Sequence, residues 1–180
     1  MVHRLLLLSL LAACGSPPQT CATCTPPDAG PTVMDGGLSD AGATLPAVVI
    51  NELSSLDGDF IELINRSARA VDLSGSTLAH RGPDGGPERS DAAPLSGVII
   101  APGQYLVSSA SPDAGALTFS FNISNGSGDT VFLLGVDGGV VDQVTFPPDG
   151  HNAGESWGRL PDGTGAFQRL TARTPGAINR

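Results

Sequence analysis

The chain has 180 residues, 40% of them hydrophobic, 15% charged and 4% aromatic, with 24 Gly and 15 Pro; this is enough for one turn-rich domain plus appendages. Eighteen acidic residues outnumber nine basic ones, all Arg, and the formal net charge is −9. That balance excludes general nucleic-acid binding, which needs dense basic surface, and it repels anionic head groups, so membrane attachment has to come from something other than charge.

At the start, Met1-Val2-His3-Arg4 is short and weakly basic, and Leu5 to Ala13 is apolar except for Ser9. That run falls short of the roughly 20 residues a bilayer-spanning helix needs and has the pattern of a secretory signal. Leu11-Ala12-Ala13-Cys14, followed by Gly15, resembles the lipobox of bacterial lipoproteins. In that family the cysteine thiol is the nucleophile for diacylglycerol transfer, and the small residues before it let the backbone enter a peptidase cleft. The resemblance implies a signal peptide over residues 1–13 and a lipid attachment site at Cys14. It also implies a partner in the membrane, held by acyl chains worth about 0.8 kcal/mol per buried methylene. In the family, Gly15 after the cysteine goes with outer-membrane sorting.

Residues 14–43 are rich in Pro and Gly, including Pro17-Pro18, Pro26-Pro27, Pro31 and Gly36-Gly37, and are expected to form a linker, lipidated as the resemblance implies. Such a stretch buries too little apolar surface to offset its ordering entropy and is expected to be a disordered tether. As a coil, its 29 residues after Cys14 would average roughly 30 Å end to end. Cys21-Ala22-Thr23-Cys24 lies inside it. A zinc site would need a second pair of ligands at suitable spacing, and a thioredoxin-type thiol would need a helix N-terminus. A small local disulfide in an oxidising compartment is the preferred reading.

From residue 44 to 180, short runs rich in β-branched and aromatic residues alternate with turn clusters, the pattern of a sandwich or barrel. The expected strands are Ala47–Leu53, Asp59–Asn65, Val71–Ala79, Gly97–Ser108, Leu117–Phe121, Thr130–Val136, Val140–Phe146, Ser156–Leu160 and Ala166–Leu170. Two apolar runs flank Asp137-Gly138-Gly139, the chemistry of a tight hairpin with positive φ; Val131, Leu133 and Val144 are expected in the core. No stretch has helical periodicity with caps. The fold class is all-β.

The same residues carry a second resemblance. Ile50-Asn51-Glu52, Phe60-Ile61-Glu62-Leu63 with Asn65, and Val71-Asp72-Leu73-Ser74-Gly75 with Thr77-Leu78 are similar to the opening of a lamin tail domain. Ala101-Pro102-Gly103, Ile123-Ser124-Asn125, Gly128-Asp129-Thr130-Val131, Glu155-Ser156-Trp157-Gly158-Arg159 and Thr174-Pro175-Gly176 with Asn179 follow in order, from about Val48 to Asn179. The resemblance implies an immunoglobulin-like β-sandwich and, in bacteria, a secreted or surface module for binding or attachment. Ser76 stands where the family often has an aromatic, and His80 to Pro94 reads as a Gly/Pro/Arg/Asp loop without strand signal.

The residues with catalytic chemistry are Glu52, Asp59, Glu62 and Asp72, with His80 and His151. Paired carboxylates serve glycosidases only at set separations across a cleft. Glu52 and Glu62 are expected on neighbouring strands, hydrogen-bonded to backbone at a sheet edge or strand end, with Glu62 on the face of Phe60 and Ile64. His80 and His151 sit in Gly/Pro loops and are expected to be solvated. Neither Gly-x-Ser-x-Gly nor His-Glu-x-x-His occurs, and no helix follows the Gly-rich turns to make a phosphate loop. Trp157 is expected in or capping the core, with a binding platform as the alternative. The reading is a noncatalytic envelope module without a cofactor or metal, whose partner is an envelope protein or polysaccharide. The alternatives are a calcium-assisted carbohydrate-binding module using Asp57, Asp59 and Asp84, or an accessory domain for an envelope hydrolase.

Overall fold

The computed structural model describes residues 46–111 and 117–180; Cys14, Cys21, Cys24 and the tether lie outside them. Twelve strands are present among the described residues, and no helix. They are β1 (Val48–Ser54), β2 (Phe60–Asn65), β3 (Val71–Asp72), β4 (Thr77–His80), β5 (Ala93–Pro94), β6 (Ile99–Ile100), β7 (Tyr105–Ser109), β8 (Leu117–Thr118), β9 (Asp129–Leu134), β10 (Val140–Phe146), β11 (Ser156–Leu160) and β12 (Ala166–Leu170).

A six-stranded sheet in the order β12-β11-β1-β2-β7-β8 packs on a four-stranded sheet in the order β10-β9-β4-β5, and β3 and β6 form a separate two-stranded ribbon. All pairings are antiparallel except that of β7 with β8. Alternate residues of the two sheets meet in one core: Ile50, Leu53, Ile61 and Leu63 from one side, and Leu78, Val131, Leu133, Val144 and Phe146 from the other. Phe119, Phe121 and Ile123 close it at one end, the two Phe rings stacked 4.6 Å apart. This is the immunoglobulin-like sandwich, and Val131, Leu133 and Val144 take their expected places in it.

The differences from the expected strands have local causes. Val71–Ala79 divides into β3 and β4 because Ser74-Gly75 turns the chain, with Gly75 at φ +86°. Pro102-Gly103 likewise divides Gly97–Ser108 into β6 and β7. The His80–Pro94 stretch is not a pure loop: His80 ends β4, Arg81 bridges to Pro87, and Ala93–Pro94 pairs with Thr77-Leu78 as β5. A two-residue strand has no periodicity to read, and Pro94 suits it because this is the sheet's edge, where a missing N–H costs no ladder bond. In the β9–β10 hairpin only Gly138 has positive φ (+76°), whereas Gly139 does not.

Both faces of the central strands are covered. β1 and β2 are buried along their whole lengths, although a sandwich sheet ordinarily leaves one face in water. The register along β1 slips between Ile50 and Glu52, so the bulge sets Asn51 and Glu52 together against Glu62. Ile50 and Leu53 thereby both face the core, and the two polar residues share the outer face. The chain after β12 covers that face.

Candidate functional site

The outer face of β1 and β2 holds a cluster of buried polar side chains: Asn51, Glu52, Glu62, Ser156 and Asn179 are all 3% exposed or less. Glu52 and Glu62 stand directly opposite one another in the β1–β2 register. The expected edge or strand-end position is therefore corrected, because both lie mid-strand in the middle of the six-stranded sheet. The bulge and the later chain bury them, and neither is visible in a short run of residues. Glu62 does share its face with Phe60 and Ile64, which stay outside the main core.

Every carboxylate oxygen of the pair has a donor. Ser156 Oγ (2.5 Å) and the Thr174 N–H (2.9 Å) donate to Glu52 Oε1, and Thr174 Oγ1 donates to Oε2 at 2.8 Å. Asn51 Nδ2 donates to Glu62 Oε1 at 2.8 Å and the Gly176 N–H to Oε2 at 2.5 Å. Burial pushes the Glu62 carboxyl up to about 7; the Asn51 and Gly176 bonds oppose that rise, and the neighbouring Glu52 and Asp162 charges add to it. Asn179 completes the cluster, donating from Nδ2 to the Arg159 carbonyl at 2.8 Å, with its Oδ1 2.9 Å from Thr174 Oγ1. Asp162 accepts the Asn179 N–H at 3.0 Å and the Tyr105 hydroxyl. Burial, and then that bond, push the Tyr105 hydroxyl upward.

A second connection joins the sheets. Arg159 Nη2 lies 3.2 Å from Asp142 Oδ2, both side chains nearly buried, and Arg159 Nε donates to the Ile50 carbonyl at 2.8 Å. The same Asp142 oxygen accepts the Ile50 N–H at 2.8 Å. The β1 bulge frees these two backbone groups, and the ion pair satisfies both.

The remaining candidates lie apart from this cluster. Asp57 accepts the Gly154 N–H, Asp59 that of Ile123 and Asp84 that of Gly86. Burial raises the Asp59 carboxyl despite the Ile123 bond. Among the described residues no three His, Cys, Asp or Glu side chains are grouped to hold a metal ion. Asp72 is exposed and is held below its ordinary range by bonds from Ser74.

The expectation of solvated histidines is corrected for both. His151 is 1% exposed; its Nε2 accepts the Ser55 N–H at 3.1 Å, and Phe146 lies against the ring. His80 stacks on Phe121 at 5.0 Å, with Asp91 3.3 Å from its Nε2. Gly/Pro neighbours suggest exposure, but long-range packing decides it. Trp157 packs against the core cluster, which favours its core role over a platform.

One groove opens beside the hairpin turn, about 240 Å³ in volume and lined by Gly75, Thr77, Arg89, Leu134, Val136 and Gly138. It is smaller than ordinary small-molecule sites, which run from about 300 Å³ upward.

Chemically, the central carboxylates fasten the chain end to the sheet: they are inaccessible and fully engaged by donors. Sequence reasoning singled out Glu52 and Glu62 but missed their partnership with Asn179, Ser156 and the Arg159–Asp142 pair. The available signal was the adjacent polar pair Asn51-Glu52 inside the apolar run Val48–Leu53, which breaks strand alternation and marks a bulge. The pieces that carry the resemblance, Ile50-Asn51-Glu52, Glu62, Ser156 to Arg159 and Thr174 to Asn179, all converge on this cluster.

No curated protein matches the chain. The Lamin Tail Domain family profile matches residues 41–148, more than half of its length. Domains of this family are immunoglobulin-like and generally noncatalytic. The chain belongs to the lamin tail domain family.

Proposed function

We propose that the chain is an exported, lipid-anchored module of the cell envelope that binds or attaches a partner and performs no catalysis. The observation that carries the reading is the order of the apolar run Leu5–Ala13, the Leu11-Ala12-Ala13-Cys14-Gly15 motif and a Pro/Gly-rich segment ahead of a lamin tail domain. The family membership supports the noncatalytic part. So does the structural use of the carboxylates, because groups saturated by backbone and side-chain donors offer a substrate no reactive oxygen. Acyl chains on Cys14 would hold the protein to the membrane, the outer membrane by the Gly15 pattern. Loops of the sandwich would meet an envelope protein or polysaccharide.

The test is mass spectrometry and detergent phase partitioning of the expressed full chain. Native protein should lose residues 1–13, gain acyl mass on Cys14 and enter the detergent phase. Cys14→Ala should keep its leader and stay aqueous. If the variant is processed normally and still enters detergent, the anchor assignment fails.

A further inference from the structure

The C-terminal segment, residues 171–180, runs across the outer face of β1 and β2 as a strap, and its attachment points are unusual. Two of its backbone amides, those of Thr174 and Gly176, each donate to a buried carboxylate, Glu52 and Glu62 respectively. Those carboxylates face each other across one β1–β2 register position and are both 0% exposed. Among the described residues no salt bridge reaches either of them. The guanidiniums on adjoining elements are committed elsewhere: Arg159 of β11 to Asp142, and Arg173 of the strap to the Asp57 and Gly58 carbonyls and the Phe60 ring. The remaining charged or titratable groups here are Asp162, from the β11–β12 turn, and Tyr105 of β7, hydrogen-bonded to each other, and the exposed Arg180 at the strap's end. Two buried carboxylates abreast with no cation cannot both ionise without cost.

We propose that the Glu52–Glu62 pair is a proton-operated latch, which holds the strap closed while the pair retains a proton and loosens it when both carboxylates ionise. The sign follows from linkage. Burial in the closed structure raises Glu62 from an ordinary 4.5 to about 7, against the Gly176 bond. Opening returns the carboxyl to water and toward its ordinary value, so the closed state binds the proton more tightly than the open one. Latch strength is full below the ordinary value and is lost as pH rises through the raised one. Opening thus grows more favourable by about tenfold per pH unit between pH 5 and 6.5 and levels off above 7. Opening uncovers Asn51, Glu52 and Glu62, an acidic strip that in the closed state accepts the backbone amides of the Thr174–Ala177 turn.

The experiment is amide hydrogen exchange on the full chain at several pH values, corrected for intrinsic exchange, combined with a ¹³C titration of the Glu62 carboxyl. The Gly176 amide should lose protection on the order of tenfold per pH unit in that window, and at every pH it should exchange faster than Val131 and Val144, which report global unfolding. The Glu62 carboxyl should titrate well above the ordinary glutamate range. Glu62→Gln should give Gly176 protection that no longer varies with pH; should that variant fail to fold, the wild-type titration decides alone. Flat protection at Gly176, a Glu62 midpoint near 4.5, or a pH slope that survives in Glu62→Gln would each overturn the latch.

Discussion

Arg159 on β11 reaches Asp142 on β10, and the pair ties one sheet to the other while both side chains are about nine-tenths buried. Removing one partner of such a pair leaves the other charge stranded, at a cost of about 3–5 kcal/mol. Arg159→Ala should lose that much in urea unfolding, and the double replacement Arg159→Met with Asp142→Leu should lose less than Arg159→Ala alone. A loss below about 1 kcal/mol for Arg159→Ala would show that the pair is not the clasp described. Gly158 is just as constrained. A Cβ there would lie 2.7 Å from Leu170 Cδ1 and 2.9 Å from Asn179 Nδ2, so Gly158→Ala should cost about 1–3 kcal/mol by overpacking and displace the Asn179 amide in NMR spectra. The residues of this cluster were legible one by one. Asn51-Glu52 and Thr174-Pro175-Gly176 stand out as polar or turn residues in their settings. Their joining was not legible, because the contacts span more than a hundred residues (Glu52 to Thr174, for example) and no local pattern encodes a partner at that distance.

The β9–β10 hairpin shows what a single element reveals. Its two apolar runs and Asp137-Gly138-Gly139 turn were readable because alternation and turn chemistry are local. Leu133 is 1% exposed in the core, and Leu133→Ala should cost about 2–5 kcal/mol by chemical denaturation. Gly138 combines φ +76° with an Arg89 Nη1 only 2.9 Å from where a Cβ would sit. Gly138→Val should therefore cost more than about 1 kcal/mol. Arg89 also donates to the Gly138 carbonyl at 2.8 Å, so the His80–Pro94 stretch braces the turn it seemed independent of. β5 escaped notice for the opposite reason. Two residues become a strand only because Thr77 and Leu78 lie beside them, and pairing, unlike periodicity, belongs to the partner.

For the molecule as a whole, the sandwich is completed late in the chain. β11 and β12 extend the sheet from β1, and the strap then closes its outer face. Ending the chain after Arg173 would strip Glu52 of both Thr174 donors and Glu62 of the Gly176 N–H. Each of these hydrogen bonds contributes about 0.5–1.5 kcal/mol net, so thermal unfolding of the truncated protein should shift downward at neutral pH. An unchanged melting temperature would mean that water replaces the strap without penalty. The two-sheet architecture was legible because nine runs of alternation call for a sandwich; the double coverage of β1 and β2 was not, since their outer-facing residues are buried only by chain that follows β10.

The placement of β1 has a mechanical consequence. It is the first strand among the described residues, yet it lies inside the six-stranded sheet, zipped antiparallel to β2 from Val48↔Asn65 to Ser54↔Phe60 and held on its other side by β11. A pull between Val48 and the loops beyond Ser54 runs lengthwise along that strand. It loads the two ladders in shear, so many hydrogen bonds must fail together, whereas a strand on the rim such as β12 could peel away bond by bond. Forced rupture is governed by the unfolding rate, and pulling in that direction should require more force than pulling from Arg180. A domain entered through its interior strand bears tension along its length, as a link in a load-carrying chain does.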